Sequence, residues 1–204
     1  MEKVDYKREL KYLYTAPSDQ PVIVDVPYLS YLMVDGNGDP NTVEEYQEAV
    51  VALYSVAYTL KFAIKRGGGL DYTVMPLEGL WWVDDMSTFS DQDKSAWIWT
   101  MMILQPDEVT TEQVEQAVTQ AASKKPLPAA SKMRLERLRE GRAAQIMHIG
   151  PFSAERSTID RLHDFIADQG SERTGKHHEI YLGDPRRTAP QQLRTIIRQP
   201  MASA

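Results

Sequence analysis

Residues 28–40 read YLSYLMVDGNGDP, an apolar run that ends in a glycine-rich turn. The run from Tyr28 to Val34 has the aromatic and apolar composition of a β-strand. The turn residues Asp35 to Pro40 stop it, because glycine, asparagine and proline favour turns. Apolar residues then recur at helical spacing, at Ala49, Leu53, Val56, Leu60 and Ile64. We therefore predict a strand, a turn and a helix with a core-facing stripe, with Thr42 as the helix N-cap.

The same order of elements recurs in the second half of the chain. Residues 143–152 read AAQIMHIGPF, a strand-like run that ends in Gly-Pro, and Glu155 to Gln169 carries an apolar stripe at helical spacing. Strand runs and helices in this order predict an α+β fold with an antiparallel sheet. We expect helices to cover one sheet face and the other face to contribute to a concave site between two modules.

The other predicted elements follow from composition and turn residues. Pro21 to Pro27 is predicted to be an edge strand, because proline cannot donate to a ladder. The remaining predictions are strands at 72–82 (interrupted at Pro-Leu-Glu-Gly), 96–104 and 177–182, helices at 4–14, 111–124 and 190–198, a polar loop at 84–94 and an extended or turn-like segment at 133–138.

Composition excludes several classes of function. The formal net charge of −6 disfavours nucleic acid, and the first 20 residues are too few for a helix-turn-helix. The chain has no cysteine, and its four histidines lack zinc-motif spacing, so we expect no metal and no cofactor. The polar N-terminus and the lack of a long apolar run predict no membrane partner and a cytoplasmic protein.

All four tryptophans fall between residues 81 and 99. In the run AWIWTMMIL (residues 96–104), Trp97 and Trp99 share one strand face, and Trp81 and Trp82 lie nearby in sequence. Two interpretations are open. One is a core packed with large rings, and the other is an aromatic-walled pocket for a planar or cationic ligand.

The stretch KHHEIYLGDPRR (residues 176–187) contains one carboxylate within an apolar strand. Alternation places Glu179 and Tyr181 on one face with His177, and Ile180 and Leu182 on the other with His178. We expect the apolar pair to pack against the helix at 155–169, which leaves Glu179 on the open face. It is then either an ordinary exposed glutamate or a partly desolvated carboxylate. The second form holds a ligand cation or acts as a general base with a raised pKa.

Two further residues are candidates for ligand binding. Glu78 lies in Pro-Leu-Glu-Gly-Leu-Trp-Trp beside two tryptophans, where it is either a second acid or a turn residue. His148 precedes Gly150, where it is either a ligand-binding residue or a hydrogen-bonded core histidine.

Four motifs in order resemble the stand-alone GyrI-like small-molecule-binding proteins. They are YLMVDGNGDPN (31–41), YTVMPLEGLWW (72–82), AQIMHIGPFSAE (144–155) and HEIYLGDPRRTAPQQLRTIIRQP (178–200). The resemblance covers nearly the whole chain, so we treat 1–204 as one GyrI-like domain. It implies two βααβ-type modules, at about 21–125 and about 130–200, related by a pseudo-twofold axis with a ligand cleft between them. This family is similar to the effector-binding domains of multidrug-responsive regulators.

The resemblance also implies roles for individual residues. Glu179 matches the acid at the floor of the family's cleft, and Tyr181 would be its hydroxyl partner. The tryptophans at 81, 82, 97 and 99 are candidates for the cleft walls. Some stand-alone relatives are associated with hydrolysis of strained, cyclopropane-bearing, DNA-alkylating natural products, and there the acid would direct water onto the electrophilic carbon.

Three functions follow as expectations. The first is binding of amphipathic, aromatic, often cationic small molecules, for sequestration or xenobiotic detoxification. The second is hydrolysis of cyclopropane-type electrophiles with Glu179 and Tyr181 as catalytic residues. The third is inhibition of a topoisomerase-like protein partner.

Overall fold

The computed structural model describes residues 3–86 and 94–202, which form two compact units. The first unit comprises the described residues within Met1–Glu9, Leu29–Leu77 and Trp82–Leu138. The second comprises those within Leu10–Tyr28, Glu78–Trp81 and Arg139–Ala204. Residues 10–28 and 78–81 group with the C-terminal half, and the expected modules at about 21–125 and about 130–200 stay predictions. Most of the predicted polar loop at 84–94 lies outside the described residues.

The helices and strands of the described residues follow one another along the chain. In order they are β1 (Lys3–Val4), α1 (Tyr6–Glu9), β2 (Val22–Val26), β3 (Leu29–Asn37), α2 (Glu44–Arg66), β4 (Asp71–Tyr72), β5 (Leu77–Trp82), β6 (Ile98–Gln105), α3 (Thr111–Ala122), β7 (Arg134–Leu138), β8 (Gly141–Ile149), α4 (Arg156–Asp168), β9 (His177–Tyr181) and β10 (Arg194–Pro200). Short 3-10 turns occur at Pro128–Lys132, Phe152–Ala154 and Pro190–Gln192.

In the first unit, β3 lies between β6 and β7 and is antiparallel to both, while β1 and β4 form a small parallel pair. Helix α2 buries the predicted stripe at Ala49, Leu53, Val56 and Leu60. The predicted N-cap is wrong: Val43 occupies that position without a side-chain hydrogen bond, and the Thr42 hydroxyl bonds to the Asp39 carbonyl instead.

In the second unit, the strands lie in the order β2, β8, β10, β9, β5, and every neighbouring pair is antiparallel. Helix α4 covers one face through a buried cluster of Ala144, Ile146, Leu162, Ile166, Ile197 and Met201. Strand β2 pairs with β8 alone among the described strands, which confirms the predicted edge segment. These pairings confirm the α+β class with an antiparallel sheet, and the pseudo-twofold relation stays a prediction.

The predicted helix at 190–198 is wrong. A single 3-10 turn is followed by β10, which lies between β8 and β9. Thr195, Ile196 and Ile197 are β-branched, so their side chains suit a strand better than a helix. The helix predicted at 4–14 is likewise shorter and spans only Tyr6–Glu9.

Two negative findings apply to residues 3–86 and 94–202. Within them, no helix combines the length and apolar character needed to cross a membrane. The same residues contain no group of three or more histidine or acidic side chains arranged to hold a metal ion.

Candidate functional site

The side chains of β9 alternate as predicted. His177 and Glu179 are hydrogen-bonded to each other on one face, and Tyr181 joins them there. His178 lies on the other face and bonds to a different set of groups. One strand therefore contributes to two separate polar clusters, one on each side of the sheet.

The face that carries Glu179 differs from the prediction. Glu179 lies directly opposite Ile197 of β10, and Ile197 lies opposite Ile146 of β8. Directly opposed residues in an antiparallel pair project to the same face. Since Ile146 and Ile197 pack with α4, Glu179 is on the helix-bearing face and Ile180 is on the other. The expectation that Ile180 faces the helix at 155–169 is therefore wrong.

We call Trp81, His177, Glu179 and Tyr181 the Glu179 cluster. The Tyr181 hydroxyl donates to Glu179 Oε2 at 2.7 Å, and Glu179 Oε1 lies 3.2 Å from His177 Nε2. Trp81, which lies opposite His177 on β5, donates from Nε1 to the Tyr181 hydroxyl at 3.1 Å. The two strands thus place four side chains in one hydrogen-bonded group.

The donors in this cluster have a defined direction. An indole N–H only donates, so the Tyr181 oxygen accepts from Trp81 and directs its own proton to Glu179. A carboxylate only accepts, so the His177 nitrogen that faces Glu179 carries a proton. The result is a carboxylate held in one orientation by at least two donors.

The surroundings of Glu179 combine burial with a neighbouring aromatic surface. Glu179 is 9% exposed, Trp81 is 3% exposed and Tyr181 is half-buried. The ring of Phe152, which is 41% exposed, meets the Tyr181 ring edge-on at a centroid distance of 5.7 Å. On β5 the residue opposite Glu179 is Gly79, which is itself buried. A ligand at this position would contact both a carboxylate and aromatic rings.

Glu78 belongs to the opposite face of the sheet. Its carboxylate is fully buried, accepts a hydrogen bond of 2.6 Å from the Tyr14 hydroxyl and lies 3.0 Å from His178 Nε2. Because Glu78 is opposite Ile180 in the β5–β9 pairing, the sheet separates it from the Glu179 cluster. This placement does not support the expected ligand-binding role, and it makes Glu78 part of a buried polar network.

The buried network continues from His178 to β10. His178 Nδ1 lies 3.0 Å from both oxygens of Glu140, and Arg198 donates to Glu140 at 3.0 Å. Arg198 also donates to Gln145 and to the carbonyl of Leu13 at 2.7 Å. These bonds fix the segment around Leu13 over the face of the sheet that lies away from α4.

The network holds His178 as an imidazolium ion, because both of its ring nitrogens face carboxylates. Burial alone would lower the pKa of His178, but the charge of Glu140 and the hydrogen bonds to Glu140 and Glu78 raise it to about 9. Burial alone would raise the pKa of Glu140, but the His178 charge and hydrogen bond, together with Arg198, lower it to about 2. Charged pairing therefore outweighs desolvation at both groups.

The other three tryptophans belong to the first unit. Trp99 is fully buried, lies opposite Gly36 in the β3–β6 pairing and meets the Tyr46 ring edge-on at 5.5 Å. This is the packing of a core residue, so the core interpretation applies to Trp99. Trp97 is 7% exposed with the Lys94 ammonium 4.7 Å from its ring centroid. Trp82 is half-buried, and its side chain alternates with that of Trp81 along β5.

His148 is a hydrogen-bonded core histidine. Its Nδ1 lies 2.9 Å from the Thr158 hydroxyl, and its Nε2 lies 3.2 Å from the Pro151 carbonyl. The carbonyl only accepts, so Nε2 carries the proton and Nδ1 accepts from Thr158. Both ring nitrogens are used within the fold, which favours the structural interpretation over ligand binding.

Sequence reasoning missed five participants: Tyr14, Glu140, Arg198, His177 and Phe152. Tyr14, Glu140 and Arg198 form hydrogen bonds in the buried network around His178. Only the folded structure, in which they are buried together, shows that they belong to it. His177 had a usable signal, because alternation already placed it beside Glu179. Phe152 follows the Gly-Pro turn, and its contact with Tyr181 depends on how α4 packs.

Comparison with known proteins identifies the family. Residues 19–201 match the GyrI-like small molecule binding domain. A solved structure of an uncharacterized conserved protein from Listeria innocua is 44% identical with a TM-score of 0.90, covering 98% of this chain and 100% of its own. Two structures described as hydrolases from Listeria innocua are 43% and 42% identical, with TM-scores of 0.85 and 0.88 and the same coverage. No curated protein matches the chain.

The family match spans well over half of the sequence and agrees with the α+β architecture of the two units. The chain belongs to the GyrI-like small-molecule binding domain family.

Proposed function

We propose that this chain binds a planar aromatic small molecule beside Tyr181 and Phe152 and that Glu179 directs water onto an electrophilic carbon of that molecule. The observation that carries this proposal is the chain of two hydrogen bonds from Trp81 to Tyr181 and from Tyr181 to Glu179. It orients a largely buried carboxylate next to aromatic rings. Such a group is suited to accept a proton from an attacking water molecule.

The proposed reaction opens a strained three-membered carbon ring that is conjugated to a carbonyl group of the ligand. The water oxygen forms a bond to the ring carbon, and one ring C–C bond breaks. The electron pair of that bond moves toward the conjugated carbonyl, and the proton of the attacking water passes to Glu179. Water is thereby added without an oxidant or reductant: the carbonyl oxygen takes a proton from solvent, and Glu179 returns its proton to solvent.

Aromatic rings would contribute by holding the ligand flat. Phe152 is 41% exposed and offers its ring next to Tyr181. Trp81 is almost fully buried, so we assign it to orienting Tyr181 rather than to covering the ligand. Wall roles for Trp82 and Trp97 stay predictions.

The reaction class has support from similarity. Two proteins at 43% and 42% identity over nearly their whole length are described as hydrolases. Those descriptions do not name a substrate, so the strained-ring electrophile rests on the family resemblance and on the chemistry of Glu179.

Binding without turnover is the second candidate, and the charge of the site favours it. A carboxylate beside two rings is a typical arrangement for an aromatic cation, and the net charge of −6 attracts cations at long range. The protein would then sequester amphipathic cationic compounds. Inhibition of a topoisomerase-like partner remains an expectation from the sequence.

Glu179→Gln separates the two candidates. For a hydrolase, we expect turnover of a cyclopropane-bearing alkylating compound to fall by about 10²-fold or more, with affinity for the neutral compound kept. For a cation-sequestering protein, we expect no turnover in the unmodified chain and a loss of affinity for planar cationic dyes in the variant. Glu112→Gln is the matched control, because it removes the same charge from an exposed position on α3.

The measurements are product formation by chromatography and ligand affinity by tryptophan fluorescence. Turnover that survives Glu179→Gln unchanged would show that Glu179 is not the base.

A further inference from the structure

Helix α2 carries a row of stacked aromatic rings on its exposed side. Tyr54 and Tyr58 stack at a centroid distance of 6.5 Å, and Tyr58 and Phe62 stack at 6.4 Å. Tyr58, Phe62 and Val51 are 48%, 46% and 45% exposed. Since the three rings follow one another at spacings of four residues, they form a continuous strip along the helix.

This strip differs from an ordinary solvated helix face. The opposite face of α2 already buries Ala49, Leu53, Val56 and Leu60 in the first unit. A surface helix normally has polar residues on the side away from its core. An apolar strip of neighbouring aromatic residues on that side is instead typical of a protein interface, in which tyrosine and phenylalanine are enriched.

The charges of α2 are sorted along its length. Its first two turns carry Glu44, Glu45 and Glu48, and its last two carry Lys61, Lys65 and Arg66. Acidic residues near the N-terminus and basic residues near the C-terminus interact favourably with the helix dipole, so this order stabilises α2 within each monomer. It also determines which alignment of two such helices is favourable. A parallel pair places like charges together, whereas an antiparallel pair places acidic ends against basic ends.

We propose that a second copy of this chain binds along the exposed strip, with the two α2 helices antiparallel. In this alignment Ser55 of one copy faces Tyr58 of the other. Four residues before Ser55 and four after Tyr58, Val51 faces Phe62. Seven residues before Ser55 and seven after Tyr58, Glu48 faces Lys65. These spacings keep all six positions on one side of the helix. The twofold axis repeats each contact, as an isologous interface requires.

Lys65 remains available for this contact. Its ammonium lies 2.6 Å from Asp71 Oδ2, yet its side chain is 52% exposed. An ammonium has three donors, so it can bind Asp71 and a carboxylate of the second copy together. Lys61 lies 3.7 Å from Asp71 Oδ1 and helps to neutralise it.

The interface is expected to be reversible. A contact made by one helix from each copy is smaller than the roughly 1,200–2,000 Å² of a standard stable interface. Dimer formation should therefore depend on concentration in the micromolar range.

Sedimentation velocity of the full chain between about 5 and 500 μM tests the proposal. We expect a monomer–dimer equilibrium, and Tyr58→Glu should weaken it by at least about tenfold, because it places an unpaired charge in the contact. Tyr12→Glu is the matched control: Tyr12 is equally exposed, at 48%, in a different part of the chain, and association should be kept. Both substitutions replace exposed rings, and thermal unfolding verifies that the variants fold.

Cross-linking tests the alignment, since the chain has no cysteine of its own. Glu48→Cys combined with Lys65→Cys should give a covalent dimer with a short bifunctional thiol reagent. Glu48→Cys alone should not, because the two Glu48 positions lie 17 residues apart along the antiparallel pair, about 26 Å.

A monomer at every concentration overturns the proposal and leaves the strip to a different partner. Equal association of the Tyr58→Glu and Tyr12→Glu variants overturns it as well. Efficient cross-linking by Glu48→Cys alone contradicts the antiparallel alignment. None of these outcomes bears on Glu179, so they do not affect the proposed function.

Discussion

Gly79 lies directly opposite Glu179 in the pairing of β5 with β9. Glu179 therefore has Ile197 as its cross-strand neighbour on β10 and a glycine as its neighbour on β5. Since both residues project to the face that carries Tyr181 and Trp81, any side chain introduced at the buried Gly79 would lie next to the carboxylate.

We expect Gly79→Val to lower affinity for planar aromatic ligands by about tenfold or more, because the new side chain occupies the space next to Glu179. The variant should still fold. Gly79 is not among the glycines with positive φ in the described residues, and valine suits a strand. Affinity is measured by tryptophan fluorescence and folding by thermal unfolding. Unchanged affinity in a folded variant would show that ligands do not approach Glu179 from this side.

Tyr181→Phe removes the hydroxyl that donates to Glu179 and accepts from Trp81 but keeps the ring against Phe152. We expect turnover to fall by about tenfold or more while ligand affinity changes little, because the carboxylate loses one of the donors that orient it. Steady-state kinetics separates kcat from KM. Tyr12→Phe, at an exposed ring, is the control. A rise in KM with kcat unchanged would mean that the hydroxyl serves binding alone.

The His178 network predicts a loss of stability at alkaline pH. The pKa of His178 is raised from 6.5 to about 9, so its charged contacts stabilise the fold fully below pH 6.5. That contribution, roughly 3 kcal/mol at most, is lost as the pH rises through 9. Urea unfolding at pH 6, 8 and 10 measures the decline.

An NMR titration of the His178 ring assigns this effect to one residue. We expect both ring nitrogens to carry protons at pH 8. A His178 ring that titrates near its ordinary pKa in the folded protein would contradict the prediction. At the acidic end, the lowered pKa of Glu140 predicts stability that is present above pH 4.5 and lost as the pH falls toward 2.

Gly36→Ala should destabilise the first unit by about 1–3 kcal/mol or more. A Cβ at Gly36 would lie 2.1 Å from Cη2 of Trp99, which crosses directly over this glycine. Gly67→Ala is the control, because its nearest neighbour would be 3.5 Å away and its φ is −75°. Urea unfolding of both variants checks the contrast. Equal stability of the two would show that Trp99 can move away from Gly36 without cost.

Much of the local structure was predictable from residue patterns. The stripe of α2 and the alternation along β9 follow from periodicities of 3.6 and 2 residues, which are properties of the backbone itself. The strand at 96–104 and the helix at 111–124 could be predicted for the same reason. The segment at 190–198 could not, because Pro190 and the polar residues after it resemble the first turn of a helix, whereas pairing with β8 and β9 makes it a strand.

The candidate site was predictable only in part. The sequence indicated Glu179, Tyr181 and Trp81, but it grouped them with Glu78 and Trp99. Glu78 belongs to a network formed with His178, 100 residues away, and Trp99 packs on Gly36. Neither contact has a local signal.

By itself, the sequence determined which side chains of β9 share a face, since alternation is a local consequence of extended backbone geometry. Only the tertiary structure decided which of those faces lies toward α4. That choice depends on the register of β5, β9, β10 and β8, which joins residues far apart in the chain, and on the burial of Ile146 and Ile197 beneath α4. A shift of one residue in that register would exchange Glu179 with His178.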